Sequence, residues 1–437
     1  MELTGVQIGW IMLGLALGLM LLGFPVSVTM IIGGFLGMWL LRGVNPALSL
    51  LGWQTWRQSL NQILIIIPLY IWLGVMAGKG GIGRDAFTTL YKWVGHVRGG
   101  LAYAVAVATS AFSAISGNHI ACAVAMSKVS FPEMRKRNYD AGFSLATIAA
   151  SANLDIMIPP SGSFILYGFL TDTSIADLFI AGILPGIFIA GLIMVQIAVQ
   201  TRLNPKLAPA GPSVGWIDRL KSTYLLWPIV LVFGLVIGGI YVGIFTTTEA
   251  ACIGCLVVLV ISVARRQLNV KGIIESLRET LPTSAMIMLM LIGAWIFAST
   301  LANSGLPMQI TNFIVGLGVG RYAIMSLILV FYVIAGMVTD IFAVMVISLP
   351  IFFPLVVTLG FDPLHFGVLC VAAIMAGSIS PPFAILAFTM HNVWRDVPLT
   401  TIFRSSIPFL VTVIISMFII MFWPQLATYL TGPSLPP

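Results

Sequence analysis

The chain has 437 residues, of which 59% are hydrophobic and only 8% charged, with a formal net charge of +7 and a mean hydropathy of +1.06. No soluble domain of this size hides so much apolar side chain, and basic residues scattered among loops are not a nucleic-acid footprint. The four cysteines, Cys122, Cys252, Cys255 and Cys370, all lie in apolar segments, so the Cys252/Cys255 pair reads as helix packing and not as a redox or zinc motif.

Apolar runs of about 20 residues recur along the whole length, which predicts a polytopic helical membrane protein. Met1-Glu2 leads directly into "LTGVQIGWIMLGLALGLMLLG", with no basic n-region and no small-residue cleavage site, so this run reads as a retained first helix. Helices are expected near 5–23, 25–42, 60–78, 139–170, 178–200, 222–242, 246–264, 280–300, 362–390 and 405–428. Segment 84–97 mixes charge with Phe87, Leu90, Trp93 and Val97 and reads as an amphipathic interfacial arm. "TTTE", Thr246–Glu249, fits a capping box, and the Gly33/Gly37 and Gly234/Gly238 pairs fit close helix packing.

The prolines reveal a repeat. Pro159-Pro160 recurs as Pro381-Pro382, 222 residues on. The same offset links Pro132 to Pro354, Asp140 to Asp362, Gly83 to Gly305 and Asn118 to Asp340. A constant offset at so many positions points to duplication. Four units follow: N-terminal scaffold helices 1–57, a first repeat 58–200, central scaffold helices 201–278 and a second repeat 279–430.

Charge orients the halves. Lys79, Arg84, Lys92 and Arg98 precede segment 99–131, and Arg135, Lys136 and Arg137 follow it, so both of its ends are expected on the cytoplasmic side. Each limb has about 15 residues and reaches about 23 Å, short of the ~30 Å hydrocarbon core. Segment 99–131 is therefore expected to be a re-entrant hairpin with its tip at Ser113–His119. The matching segment, 321–353, has its tip at Ala335–Ile341 and almost no basic residues at its flanks, so it is expected to enter from the other side. This threading puts 18 of 21 Lys and Arg at or near the cytoplasm, all but Arg42, Arg57 and Arg321, with the N-terminus external. The expected fold is all-α and polytopic, with two inverted repeats, each holding a hairpin and a broken helix, as in elevator-type ion transporters.

The polar residues fall at the hairpin tips and the proline breaks. The prolines remove backbone donors and free carbonyls before them, which hydrocarbon tolerates only where those groups line a cavity or bind an ion. Oxygen-rich tips facing broken helices suit a hard cation such as Na⁺, and half-helix N-termini suit an anion. Candidate Na⁺ ligands are Ser116, Gly117, Asn118, Asp155, Gly336, Thr339, Asp340, Gly377 and Ser378. Candidate substrate contacts are Ser113, Asn118, His119, Ser161 and Ser380. His119 reads first as a structural histidine bonded to a carbonyl, and second as a donor to an anionic substrate or a titrating group; Asp155 reads as a cation neutraliser or as the partner of His119 or a hydroxyl. No catalytic residue or organic cofactor is expected, and an intramembrane carboxylate dyad of Asp155 and Asp340 lacks any enzyme motif.

The blocks "SGNHIACAVAMSKVSFPEM", "IMIPPS" followed by "ILYGFLTDTSIADLFIAGILPG", "GGIYVGIFTTTEAACIG" and "ISLPIFFPLV" with "GFDPLHFGVL" resemble, in order, the large membrane subunit of tripartite ATP-independent periplasmic (TRAP) transporters. The resemblance covers almost the whole chain. It implies an elevator-type subunit of the bacterial inner membrane, a separate four-helix small membrane subunit, and a periplasmic binding protein that delivers a small organic anion, such as a carboxylate or sulfonate, with Na⁺ as the usual coupling ion. Helices 5–42, with Gly33 and Gly37, are the expected dock for the small subunit. Three places depart from the family pattern: Asn118-His119 stands in a tip that usually reads SGSS, Asp155 stands where glycine is usual, and Ser380 to Ala384 replaces a TPPVG-like break. The alternative reading is a single-component Na⁺/anion symporter or ion antiporter.

The charge asymmetry predicts opposite labelling of the two hairpins. In a background lacking the native cysteines, Lys136→Cys should react from the cytoplasmic side and Thr358→Cys from the periplasmic side. Equal labelling of both from one side would remove the inverted arrangement.

Overall fold

The computed structural model describes residues 3–211 and 213–431, and among them there are helices and loops but no strand. The 222-residue offset extends past the boundaries expected from sequence. Gly5–Leu21 falls on the end of Trp216–Tyr241, and Val26–Arg42 falls on Thr247–Ala264. Ile82–Val94 falls on Leu306–Gly316, and Ile175–Leu203 falls on Leu399–Phe422. The helices outside the expected repeats thus stand in the same register as those inside them.

Each repeat crosses the membrane an odd number of times when a broken helix counts as one crossing and a hairpin as none. In the first half the crossings are Gly5–Leu21, Val26–Arg42, Ile66–Lys79, the first broken helix and Ile175–Leu203. Five crossings leave the next repeat starting on the opposite face, so the two repeats are inverted. Among the described residues, seven helices are long and apolar enough to span by themselves, and they include both limbs of the second hairpin. Those limbs nevertheless turn back at Thr339-Asp340, where they meet the first tip inside the protein.

The hairpin limbs are Gly100–Ser116 with His119–Lys136, and Arg321–Val338 with Ile341–Thr358. Both hairpins run about five residues further than expected, yet 17- or 18-residue limbs still reach only about 27 Å. The broken helices are Ala141–Ala152 with Gly162–Thr171, and Pro363–Ser378 with Ile385–Val393. Both proline pairs hold a cis bond. The halves interlock by exchange: the second limb of each hairpin packs on the second half of the other repeat's broken helix.

The duplicated acids explain themselves as helix caps. Asp140 accepts from the Phe143 backbone N–H at 2.8 Å, and Asp362 accepts from Leu364 and His365 at 2.8 and 3.1 Å. Asn118 and Asp340 cap the second hairpin limbs in the same way, from Ala121 at 3.0 Å and Phe342 at 3.1 Å. A cap of this kind is worth about 1 kcal/mol. The Gly83–Gly305 match differs in role. Gly305, at φ 73°, starts its arm helix as Gly81 does, also at φ 73°, whereas Gly83 packs against Met126 and Phe112.

Two helices were not anticipated. Val44–Ser59 is amphipathic and bends by 62° into the following span; in the second repeat the same region is continuous with the span, giving the 35-residue helix Val270–Ser304. Leu306–Gly316, the counterpart of the Ile82–Val94 arm, carries no charge to mark it as interfacial. The Thr246 capping box forms, with Glu249 Oε2 accepting from the Thr246 N–H at 2.9 Å. The glycine pairs divide. A Cβ on Gly37 would meet Met12 Sδ at 2.6 Å and Thr300 Cγ2 at 2.8 Å, so that close approach is made within the chain, and Gly33 and Gly37 are not a free face for a second subunit. Gly234 and Gly238 meet nothing within 4 Å and bound a π-helical turn, so they serve no close packing. On the expected cytoplasmic side Arg135 pairs with Asp396, tying the first hairpin to the loop after the second broken helix. The Arg135 hydrogen bond holds the exposed Asp396 carboxyl below its usual range.

Gly377 sits against the second hairpin, where a Cβ would meet Val333 O at 2.5 Å and the Gly336 backbone at 2.7 Å. Gly377→Ala should therefore cost about 1–3 kcal/mol through overpacking, read as a lower thermal midpoint of the purified protein. Gly191→Ala, with nothing within 4 Å, is the matched control and should leave the midpoint unchanged or raise it.

Candidate transport site

Both hairpin tips and the first proline break meet at one cavity of about 320 Å³. Its wall includes Gly117, Asn118, His119, Asp155, Ser161 and Asp340 from the expected set. Three helix N-termini reach it: His119–Lys136, Gly162–Thr171 and Ile341–Thr358. Each carries a partial positive charge at its first turn. The wall opposite comes from Ile67, Tyr70 and Ile71 on one span and Thr283, Met286 and Ile287 on the long helix. No lysine or arginine is among the lining residues.

The first tip turns at Gly117, at φ 60°, in the left-handed region that favours glycine. The Gly117 backbone hydrogen-bonds Asp155, so this carboxylate, expected to neutralise a cation or to pair with His119 or a hydroxyl, also links the broken helix to the hairpin tip. Asp155 Oδ1 and His119 Nε2 are buried and meet no protein hydrogen-bond partner. The Asp340 carboxylate caps Phe342, whose ring lies against Gly162 of the other repeat; a Cβ there would come within 3.2 Å of it.

Of the remaining expected residues, Ser113, Gly336, Thr339, Gly377, Ser378 and Ser380 are not among those that line the cavity. Ser113 Oγ lies 3.3 Å from Cys122 Sγ and 3.4 Å from Ala152 O, joining the two limbs to the broken helix. Gly336 and Gly377 form the close backbone contact described above. Thr339 bonds back to Ala335 O at 3.1 Å, and Ser380 is buried with its N–H on Gly377 O at 2.9 Å. Ser116 ends the first limb, and its side chain lies outside the described residues. Ser378 donates to Asn153 Oδ1 at 2.8 Å and to Met375 O at 2.9 Å.

Asn153 was missed by the sequence reading. Its Nδ2 donates to Met375 O at 2.7 Å, the carbonyl of its own counterpart in the other repeat. At the first break Ser161 Oγ donates to Ile156 O in the same manner. Carbonyls expected to be open to a cation are thus held by side chains. The repeat offset itself carries the missed signal, since Asn153 maps onto Met375, six residues before the second proline pair.

The family model described as the tripartite ATP-independent periplasmic transporter, DctM component, matches residues 13–426. The ectoine/5-hydroxyectoine TRAP transporter large permease protein UehC of Ruegeria pomeroyi is 30% identical over 94% of this chain and 96% of that protein. The C4-dicarboxylate TRAP transporter large permease protein DctM of Pseudomonas aeruginosa is 30% identical over 86% of this chain and 87% of that one. Among solved structures, the Alcanivorax borkumensis YdaH transporter superposes with a TM-score of 0.63 at 15% identity, covering 88% of this chain and 89% of its own. The chain therefore belongs to the DctM family, the large permease subunits of TRAP transporters. It is a multi-pass protein of the inner membrane.

Removing the Asn153 amide takes away two buried hydrogen bonds, its own to Met375 O and that from the Ser378 hydroxyl, and leaves Met375 O and Ser378 bonded only to each other. Asn153→Ala should lower stability by about 1–3 kcal/mol, whereas Asn153→Gln should lose less if its longer amide can still reach Met375 O. Thermal unfolding in detergent measures both, and an unchanged midpoint for the alanine variant would show that the amide does not join the broken helices.

Proposed function

We propose that this subunit carries out Na⁺-coupled uptake of a small organic solute bearing an acidic group, delivered by a periplasmic binding protein, in a complex with a separate small membrane subunit. The observation that carries the reading is the meeting of three helix N-termini, two hairpin tips and a proline break at a single cavity. The N-termini favour an acidic group, and the tips, with Asn118 and Asp340, supply oxygens for Na⁺. The relatives' names differ in solute, ectoine for one and C4-dicarboxylates for another, so family membership leaves the solute open. Asp155 and Asp340 serve transport and not catalysis: each carboxylate engages the backbone of a hairpin tip.

Movement follows an elevator in this reading. The two hairpins and two broken helices interlock by exchange, so they slide as one body against Val26–Arg42, Val270–Ser304 and Thr247–Ala264. The cavity wall is divided in the same way, with Ile67, Tyr70, Thr283 and Met286 on the static side.

The reading is tested by uptake into proteoliposomes. Solute flux should require an inward Na⁺ gradient, both membrane subunits and the cognate binding protein. Asp340→Asn should raise the Na⁺ concentration for half-maximal uptake by about tenfold, the scale of one charge-assisted contact. Wild-type flux that ignores Na⁺ would transfer the coupling to protons, and fast saturable uptake by this chain alone would make it a single-component symporter.

A further inference from the structure

The cavity is uneven in charge. It gathers the N-termini of His119–Lys136, Gly162–Thr171 and Ile341–Thr358. Among them lie Asp155 and His119, the latter the first residue of one of these helices; they are 3% and 7% exposed and carry Oδ1 and Nε2 atoms that no protein group satisfies. A buried carboxylate oxygen without a donor is costly, so native structures rarely leave one unmatched unless a ligand matches it. Asp155 stands within a short 3₁₀ turn, Asn153–Ile156, with the Gly117 backbone as a hydrogen-bond partner of its carboxylate. The apolar remainder of the wall, with Ile67, Ile71, Ile156, Met286 and Phe342, suits a compact carbon body. At about 320 Å³ the cavity is at the small end of ligand sites.

A dianion fits this wall poorly. It would add two negative charges beside Asp155 and Asp340, with no lysine or arginine among the lining residues to offset them. A solute with one acidic group and one cationic, hydrogen-donating group fits both kinds of group in this wall, the acid at helix N–H groups and the cation at Asp155.

We propose that Asp155 and His119 form a donor-reading subsite, and that the solute carried is a small zwitterion with a carboxylate at one end and an ammonium or amidinium group at the other. The assignment rests on the transport reading above and narrows it. Asp155 then contacts solute and is not a ligand of the coupling ion.

The test uses the membrane complex of this chain with its small subunit, and reads ligand-induced thermal stabilisation in Na⁺. The probes are two zwitterions, 4-aminobutyrate and 4-guanidinobutyrate, against succinate and butyrate. At least one zwitterion should stabilise the wild type at a concentration about tenfold or more below that needed for succinate or butyrate. Asp155→Asn should weaken the zwitterion response by about 10- to 100-fold, the scale of a lost charge-assisted hydrogen bond. The Na⁺ concentration giving half-maximal stabilisation in the absence of solute should stay unchanged. His119→Gln, tested in parallel, should weaken the same response and keep the preference for zwitterions. Assembly with the small subunit, followed by gel filtration, shows that each variant is folded. An equal or stronger response to succinate, no response to either zwitterion, or an Asp155→Asn complex whose Na⁺ midpoint moves would each overturn the assignment. Failure of the transport reading would look different: Na⁺ alone would not stabilise the wild type, and flux would not follow a Na⁺ gradient.

Discussion

Backbone groups in hydrocarbon must find partners inside the protein, and the rest of this structure depends on how that demand is met at two proline pairs. Pro159-Pro160 and Pro381-Pro382 each remove donors from a helix at mid-membrane. The carbonyls so released have to be bonded by something. At the first break Ser161 takes Ile156 O; before the second, where the Ile379 N–H turns to Gly377 O and leaves Met375 O without its helical donor, Asn153 and Ser378 share Met375 O. Each repair crosses a short gap, and the Asn153 repair crosses between repeats. The two broken helices are therefore joined at the point where each is weakest.

That junction positions the site. Once the breaks are fixed, Gly162–Thr171 begins at the cavity with its N–H groups facing inward along the helix axis, and the two capped hairpin limbs begin there as well. Asn118 and Asp340 are caps first: each satisfies a backbone N–H at the start of a limb. An asparagine in one tip and a carboxylate in the other make the duplicated site unequal in charge. Asp155 adds to the inequality, because its counterpart Gly377 has no side chain and is packed against Gly336. Inverted repeats thus supply the symmetric frame, and a few non-identical positions within it give the cavity its polarity.

The scaffold follows a different rule. Small residues allow backbones to approach: Gly34 lies against Ile296 and Phe297, and Gly37 lies against Met12 and Thr300. These contacts hold Val26–Arg42 to the long helix Val270–Ser304, which also supplies Thr283 and Met286 to the cavity. The cavity is therefore lined by the interlocked hairpins and first broken helix together with the packed spans.

Sequence alone determined the membrane class, the order of hairpins and breaks, the inverted repeat and the cluster of tip residues. These depend on local chemistry: apolar run length, proline's missing donor, charge at loop ends, and an offset that survives low identity. It also placed Gly117, Asn118, His119, Asp155, Ser161 and Asp340 in the wall they line. The tertiary structure alone decided which polar groups are already used. Ser113 and Ser378 look as available in the sequence as Asn118, yet each is drawn into bonds with neighbours far along the chain, Ser113 with Ala152 O and Ser378 with Asn153. It alone revealed Asn153, whose partner lies 222 residues away, and the uncharged arm Leu306–Gly316. Hydropathy and spacing report what a residue can offer; only the packing of distant segments fixes which offers are taken and which, like Asp155 Oδ1 and His119 Nε2, stay open to a ligand.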